Sequence, residues 1–175
     1  LASITGLQAW ITWLGFYPAS FLAPSQLYRI FTYWMLHGGL EHLVGNLAFF
    51  LTMSPWLEYR WGKYKLTLLF ILPFNLAAIA FHSIYSYFTA GMYAMCIGAS
   101  GAISGVAGAF YVLYPDKNFI VAGKKIPAKA YLTMWFASQL ILSFLDRNGG
   151  IAYMAHVGGF VAGLIAGWWD KRHAA

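Results

Sequence analysis

One serine and one histidine, distant in the chain, have side chains that could together cleave an acyl bond. Ser100 lies in the small-residue run 97–108, and His156 lies in the segment 155–159. A serine hydroxyl is a poor nucleophile until a base takes its proton, and histidine is the usual base because its pKa lies near neutrality. The two residue types therefore predict serine-nucleophile chemistry, provided that the fold brings them together.

Acyl transfer also needs hydrogen-bond donors for the negative charge that develops on the attacked carbonyl. Ser100 is predicted at a helix N-terminus, where backbone N–H groups are free and the helix dipole is positive. His42 and Asn46 lie four residues apart on another predicted helix, so they face the same way. Neither Glu41 nor Asp146 has an obvious reach as a third catalytic member, and we expect a Ser–His dyad.

The composition indicates the solvent in which this chemistry would take place. Of the 175 residues, 61% are hydrophobic and 9% are charged, and the mean hydropathy is +0.62. A soluble domain carries about 25% charged residues, so this chain lacks the residues for a polar surface. We therefore predict an all-α fold, a polytopic transmembrane helical bundle, in a single domain over residues 1–175.

Apolar runs separated by helix breakers define six predicted helices. The first run, residues 1–16, is short for a span of about 20 residues, and it is interpreted as the remaining end of a truncated first helix or as an interfacial segment. The other helices are predicted at residues 42–57, 64–85, 100–114, 128–145 and 151–169. Pro73 predicts a kink in the third helix. Residues 18–33 mix breakers with aromatics, as expected of a loop at the headgroup level.

The basic residues predict an orientation for these helices. One side of the predicted topology carries nine of the eleven lysines and arginines: Arg60, Lys63, Lys65, Lys117, Lys124, Lys125, Lys129, Lys171 and Arg172. Arg29 and Arg147 fall on the other side. The positive-inside rule makes the side with nine cytoplasmic. The net charge of +6 is therefore an orientation signal, and the expected partner is the lipid bilayer rather than nucleic acid.

This topology brings four polar side chains to a similar shallow depth below the outer surface. His42 and Asn46 lie in the first turns of the second helix. Ser100 begins the fourth helix, and His156 lies near the start of the sixth. Small-residue stripes let transmembrane backbones pack closely, and the fourth and sixth helices each carry one: Gly101, Gly105 and Gly108, and Gly159, Gly163 and Gly167. Helix packing could thus set the Ser100–His156 hydrogen bond.

Structural interpretations compete with functional ones for several residues. A serine in a glycine-rich helix often only packs or bonds to the preceding turn, and Ser104 is a rival for the nucleophile. His37 is expected beside the site as a hydrogen-bonding neighbour, His82 as a structural residue, and Cys96 as a packing residue. No group of His, Cys or carboxylates has the spacing of a metal site, and no metal or other cofactor is expected.

Four motifs resemble those of the rhomboid family of intramembrane serine proteases. They are Gly98-Ala99-Ser100-Gly101, His37-x4-His42-x3-Asn46, Ala155-His156-Val157-Gly158-Gly159 and Glu58-Tyr59-Arg60-Trp61-Gly62. The resemblance extends over residues 28–169, in the family's order. The elbow of soluble serine hydrolases, Gly-x-Ser-x-Gly, does not fit, because position 102 is alanine and no strand precedes the motif.

The resemblance implies a role for each matching residue. Ser100 would be the nucleophile and His156 the base. The oxyanion hole would be formed by His42, Asn46 and the Ser100 amide. The supporting residues would be His37, Gly98 and Gly101.

The resemblance also implies a substrate class and a route by which the substrate enters the site. The substrate would be a transmembrane protein, cut within or near its membrane segment, and the fifth helix and the loop after it would act as gate and cap. Two positions depart from the family's pattern. Tyr28-Arg29 stands where Trp-Arg is common, and Ser104 stands where some members carry an aromatic residue that packs on the catalytic histidine.

Two other functions fit parts of the sequence. A catalytically silent rhomboid-like protein would bind transmembrane clients and would lose the dyad, so Ser100 and His156 together argue against it. A small transporter would carry polar residues to the cytoplasmic side and show inverted repeats, whereas residues 106–113 are apolar. The compact length favours a multi-pass protein of the bacterial plasma membrane, with the site opening to the non-cytoplasmic side. The sequence makes no prediction of oligomeric state.

Overall fold

The computed structural model describes residues 6–146 and 150–173, and most of these residues are helical. The α-helices in chain order are α1 (Gly6–Leu14), α2 (Arg29–Thr32), α3 (Leu40–Leu69), α4 (Asn75–Thr89), α5 (Ser100–Leu113), α6 (Ala128–Leu145) and α7 (Tyr153–His173). A two-stranded hairpin, β1 (Asn118–Val121) and β2 (Lys124–Pro127), separates α5 from α6. The predicted helical class is confirmed. The helices predicted at 100–114 and 128–145 match α5 and α6 to within a residue.

Helix α3 joins two helices that the sequence predicts as separate. Within it, Gly62 has non-helical backbone angles, φ 74° and ψ 155°. Glycine adopts a positive φ at little cost because it has no Cβ. The rings of Phe50 and Phe70, which lie on either side of this bend, have centroids 5.6 Å apart. The chain therefore folds back on itself at Gly62, close to the predicted connection between the second and third helices.

The kink predicted at Pro73 takes the form of a π-helical turn. Residues Phe70–Phe74 form this turn between α3 and α4. Proline lacks an N–H and its ring clashes with the carbonyl four residues earlier, and a widened turn makes room for the ring. The turn sets the buried Phe74 against α5, where a Cβ on Gly105 would overlap the Phe74 ring.

Hydropathy by itself identifies one spanning stretch among the described residues. The helical run Leu40–Thr89 is long and apolar enough to cross a bilayer, and it is 50 residues long with the bend at Gly62 inside it. Helix α5 is apolar but shorter, with 14 residues. The membrane spans of α5, α6 and α7 therefore stay a prediction, and so does the polytopic bundle.

The closest helix packing in the described chain joins α5 and α7. A Cβ on Gly159 would overlap the Gly101 carbonyl oxygen, and one on Gly163 would overlap the Gly105 carbonyl oxygen. The stripe predicted on α7 thus lets the two backbones touch. On α5 the stripe serves both neighbours, because a Cβ on Gly108 would overlap the Phe160 carbonyl of α7 and Gly101 faces Ala78 of α4. Two neighbours therefore press on α5, and its residues 101–110 are all buried.

The basic residues predicted on one side gather at one end of the molecule. Asp170, near the end of α7, accepts hydrogen bonds from Arg60 at 2.5 Å and from Lys65 at 3.0 Å. Lys117 Nζ lies 4.0 Å from the ring centroid of Trp56, which ties the segment after α5 to α3. This end is opposite the starts of α3, α5 and α7. Arg147, predicted on the other side, lies outside the described residues.

A short hairpin is the one departure from the predicted helices in the described chain. Residues 116–127 are predicted as a polar connection, but β1 and β2 pair antiparallel there, from Asn118–Pro127 to Val121–Lys124. Ala122 and Gly123 form the turn with φ of 48° and 78°, the two positive values that match the twist of a tight hairpin. The Phe119 ring packs 5.8 Å from the Phe110 ring of α5. The fold is thus mostly helical with one small hairpin at the basic end.

The segment between α1 and α3 is a folded platform rather than an open loop. Short 3₁₀ turns cover Pro18–Leu22, Pro24–Gln26 and Tyr33–Met35. The Arg29 guanidinium donates to the carbonyls of Thr12 and Gly15 at 2.9 and 2.7 Å. Tyr33 donates to Asn75 Oδ1 of α4 at 2.7 Å. These bonds hold the platform against α1 and α4, beside the residues that precede α5.

Candidate active site

Ser100 and His156 are brought into direct contact. The Ser100 Oγ and His156 Nε2 atoms are 2.8 Å apart, a normal length for a hydroxyl donating to an imidazole nitrogen. Ser100 is the first residue of α5, and α7 begins at Tyr153. Helix α7 therefore starts two residues later than predicted, and His156 lies in its first turn.

Glycine packing sets the separation of this pair. Gly101 follows Ser100 directly, and its carbonyl oxygen lies where a Cβ on Gly159 would be. Gly159 is three residues beyond His156, about one helical turn away on the same face. The contact between the two backbones is thus made beside the two side chains, and it holds them at hydrogen-bonding distance.

The residue two before Ser100 has a backbone that only glycine adopts easily. Gly98 has φ 100°, a region that residues with a Cβ rarely occupy. A Cβ here would also lie 2.7 Å from His42 Cε1 and 2.9 Å from His42 Nε2. The Gly98 N–H donates to the Tyr33 carbonyl at 3.0 Å. The turn into α5 is therefore fixed on the platform side and packed against the His42 ring on the other.

His42 presents a donor toward this turn. The Gly38 backbone N–H donates to His42 Nδ1 at 3.2 Å, so Nδ1 is an acceptor. A neutral imidazole carries one proton, which is then on Nε2, the nitrogen that faces Gly98. The predicted proximity of His42 to the start of α5 is present in the structure.

Asn46 supplies a second donor from the next turn of α3. Its Nδ2 atom is buried and has no hydrogen-bond partner among the described residues. The same atom lies 3.7 Å from the position of a Cβ on Gly98. Buried polar groups are almost always paired, and this amide is free to donate to an acceptor placed beside Gly98.

The other histidines and Ser104 are placed as follows. His37 packs edge-on against His42, with ring centroids 5.0 Å apart, and its buried Nε2 has no hydrogen-bond partner among the described residues. Its predicted role as a hydrogen-bonding neighbour of the site stays a prediction. Ser104 Oγ donates to the Ser100 carbonyl at 2.6 Å, and the residue is only 1% exposed, so it is bonded back to the preceding turn. His82 Nε2 donates to the Ala94 carbonyl at 3.0 Å. His173 Nδ1 donates to the Trp169 carbonyl.

Cys96 is part of the strand-like contact that anchors the approach to α5. Its backbone exchanges two hydrogen bonds with Phe16, at 2.8 and 3.0 Å. Burial raises the pKa of the Cys96 thiol to about 12, so the thiol stays protonated and is a poor nucleophile. This agrees with the packing role expected from the sequence.

Gln139, which no motif in the sequence predicts, lies on the far side of the histidine. Gln139 Oε1 of α6 lies 2.8 Å from His156 Nδ1. The ring centroid of Trp135, one turn earlier on α6, is 6.1 Å from that of His156. The sequence does mark this residue, because Gln139 is a polar residue inside an apolar helix. Polar residues in a membrane helix are energetically costly and usually have a structural or functional role.

Comparison with known proteins gives one family. The family model described as Rhomboid domain matches residues 24–173. The protein named Rhomboid protease GlpG of Yersinia pestis (strain Pestoides F) is 29% identical over 178 residues, which cover 100% of this chain and 59% of that protein. The protein of the same name from Serratia proteamaculans (strain 568) is 28% identical over 175 residues, covering 97% and 56%. The chain thus spans less than two thirds of the length of these curated relatives.

Proposed function

The chain belongs to the rhomboid family, and on that premise we propose that it is an intramembrane serine endopeptidase with Ser100 as nucleophile and His156 as base. The observation that carries the proposal is the 2.8 Å hydrogen bond between Ser100 Oγ and His156 Nε2, two residues 56 positions apart in the chain. Family membership supports the class of reaction, and this hydrogen bond supports the choice of residues.

In the first half of the proposed reaction the enzyme is acylated. His156 Nε2 takes the Ser100 proton as Oγ attacks the carbonyl carbon of the scissile peptide bond, which gives a tetrahedral oxyanion. The imidazolium then gives that proton to the leaving nitrogen. The C–N bond breaks, the amine product departs, and Ser100 carries an ester. One base thus serves as acceptor and then as donor of the same proton.

The oxyanion would be stabilised by donors that surround the start of α5. The Ser100 N–H is at a helix N-terminus, where it has no intrahelical partner. His42 Nε2–H and Asn46 Nδ2–H reach the same space from α3. The buried Asn46 amide without a protein acceptor among the described residues supports this assignment, because an oxyanion would satisfy it. Removing one such donor typically costs 10²–10³ in kcat.

In the second half of the reaction water restores the enzyme. His156 takes a proton from the water, the resulting hydroxide attacks the ester carbonyl, and the proton returns to Ser100 Oγ as the acid product leaves. Water must therefore reach the site. We propose that it enters from the non-cytoplasmic side, since the site lies at the end of the molecule opposite the basic residues, which the positive-inside rule assigns to the cytoplasm.

The proposed substrates are transmembrane proteins whose helices unwind easily near the cut. An intact helix keeps its carbonyls in internal hydrogen bonds, and in lipid nothing replaces these bonds. We propose that the chain acts as one multi-pass unit in the bacterial plasma membrane. Helix α6 would be the gate that admits a substrate helix, since its exposed face includes Ile141, Phe144 and Leu145.

The test uses the purified chain in liposomes with a single-span model substrate and a fluorophosphonate probe. Wild type should cleave the substrate and be labelled, while Ser100→Ala does neither and His156→Ala loses at least about 10³ in rate. Ser104→Ala is the matched control, because it removes a hydroxyl one turn away on the same helix. Cleavage by Ser100→Ala would show another nucleophile. A folded wild type that binds a transmembrane segment and neither cleaves nor labels would support the client-binding alternative.

A further inference from the structure

The side chain on the second nitrogen of His156 is an amide from a different helix. Gln139 is buried, with 7% of its surface exposed, and its Oε1 lies 2.8 Å from His156 Nδ1. Its amide nitrogen is used within α6, where Nε2 donates to the Trp135 carbonyl at 3.3 Å and to Ser138 Oγ at 3.1 Å.

This small network decides which end of the amide faces the imidazole. Ser138 Oγ donates its own proton to the Trp135 carbonyl at 2.6 Å, so the oxygen has lone pairs left for the Gln139 Nε2 protons. Both neighbours of Nε2 are acceptors. The amide oxygen is thus the atom that faces His156, and it can only accept.

We propose that Gln139 is a positioning residue that holds the His156 imidazole with its proton on Nδ1 and its lone pair on Nε2, facing Ser100. This rests on the proposed function of the Ser100–His156 pair. An imidazole with the proton on Nε2 could not take a proton from Ser100, so the base would be idle. An acceptor fixed at Nδ1 removes that state.

The aromatic neighbours of His156 do not determine its tautomer or which ring edge faces Ser100. The ring centroids of Trp135 and Tyr153 lie 6.1 Å and 6.5 Å from the imidazole centroid, and such contacts restrict the plane of the ring. A half-turn of the imidazole in the same plane exchanges a nitrogen with a carbon and leaves those contacts almost unchanged. The orientation is set by the polar partners at the two nitrogens, Ser100 at Nε2 and Gln139 at Nδ1. The Ser100 hydroxyl can donate or accept, whereas the Gln139 oxygen only accepts, so Gln139 is the partner that selects the tautomer.

An amide suits this place better than a carboxylate would. Among the described residues, the charged or titratable groups near the ring are His42 of α3 and, on α7, Tyr153, whose hydroxyl donates to Asp146 Oδ2 at 3.1 Å. Asp146 is thus engaged elsewhere. A carboxylate at position 139 would be a buried charge that needs its own compensation, whereas an amide orients the histidine without adding a charge.

The test compares Gln139→Leu, Gln139→Glu and the control Ser143→Ala. Leucine fills similar space but cannot accept, and glutamate keeps an acceptor oxygen. Ser143 is buried on the same helix and donates only to the Leu140 carbonyl. We expect Gln139→Leu to lower kcat by about 10- to 100-fold, as expected for loss of a group that orients a base, with KM within about twofold of wild type. Gln139→Glu keeps the acceptor but adds a buried charge, so it should recover only part of the lost kcat, and Ser143→Ala should match wild type.

The direct readout is ¹⁵N NMR of histidine-labelled protein, with the His156 signals identified by their loss in His156→Ala. Wild type should show the proton on Nδ1, and Gln139→Leu should show both tautomers. If Gln139→Leu keeps the Nδ1–H tautomer and full kcat, the proposal is wrong. If wild type neither cleaves nor labels, the proposed function fails, and the tautomer still decides the role of Gln139. Gln139→Met replaces Gln139→Leu if the latter melts more than a few degrees below the control.

Discussion

Helices α5 and α7 contact each other through their backbones, whereas α3 and α6 contact this pair through side chains. The α5–α7 contact is made by backbone against backbone, with Gly159 and Gly163 on the carbonyls of Gly101 and Gly105. Helix α6 buries four residues of its 18, and it reaches α7 through side chains such as Gln139. The atoms proposed to react thus sit on a rigid pair of helices, and the groups that adjust them reach this pair through side chains.

This difference indicates which contacts are fixed by the fold and which can change without unfolding it. Close backbone packing has no rotamers to change, because glycine has no side chain. A side-chain contact from α3 or α6 can be made and broken without repacking α5 against α7. Substitutions in the first region should therefore destroy fold and activity together, while substitutions in the second should affect activity alone.

The largest expected effect comes from breaking the α5–α7 contact. Gly159→Val would force a side chain into the Gly101 carbonyl, and we expect a destabilisation of more than about 3 kcal/mol together with complete loss of fluorophosphonate labelling. The control is Gly45→Val on α3, where a Cβ meets nothing within 4 Å. Melting temperature and labelling rate are measured on both. A Gly159→Val protein that labels at the wild-type rate would contradict the rigid-pair interpretation.

A smaller effect, confined to activity, is expected from Asn46→Ala on α3. Loss of an oxyanion donor should lower kcat by about 10²–10³ with little change in KM. The melting temperature should not fall, because the deleted amide nitrogen is buried with no partner among the described residues. Thr52→Ala, which removes a hydroxyl bonded only to the Phe49 carbonyl on the same helix, is the control. A joint fall in melting temperature and kcat would place Asn46 in the rigid region instead.

The smallest effect is expected at the basic end, where α7 meets α3 through ions. Asp170→Asn removes the ion pairs with Arg60 and Lys65, whose side chains are 33% and 52% exposed. Exposed pairs of this kind contribute less than about 1 kcal/mol, so we expect a small fall in melting temperature that disappears at high salt, with kcat unchanged. A large loss of kcat would show that the two ends of α7 are coupled.

Much of the helical layout could be predicted from the sequence because breakers mark its ends. Pro115 follows α5, and Pro127 precedes α6, so both helices were bounded correctly. Ser100 and His156 could be paired because their positions at the same end of two glycine-striped helices need only helix direction and length. The α3 run was harder, since Gly62 bends the backbone without ending the hydrogen-bonding pattern.

Two features could not be predicted, one because its local signal is weak and one because it depends on tertiary contacts. The hairpin turn is Ala122-Gly123, and alanine is not a typical residue for a positive φ, so the turn signal was weak. Gln139 was missed because its role depends on which face of α6 turns toward α7. A polar residue in an apolar helix indicates a structural or functional role, but only the fold shows that Gln139 contacts His156.

The position of Gln139 on α6 has a consequence for the order of events in time. If a substrate helix enters beside α6, the movement that admits it also draws the amide away from His156, and the base loses its fixed proton position. Cleavage is then slow while α6 is displaced and becomes fast again when α6 returns. A membrane helix that leaves early would mostly escape, and a segment that stays until α6 closes would be cut preferentially.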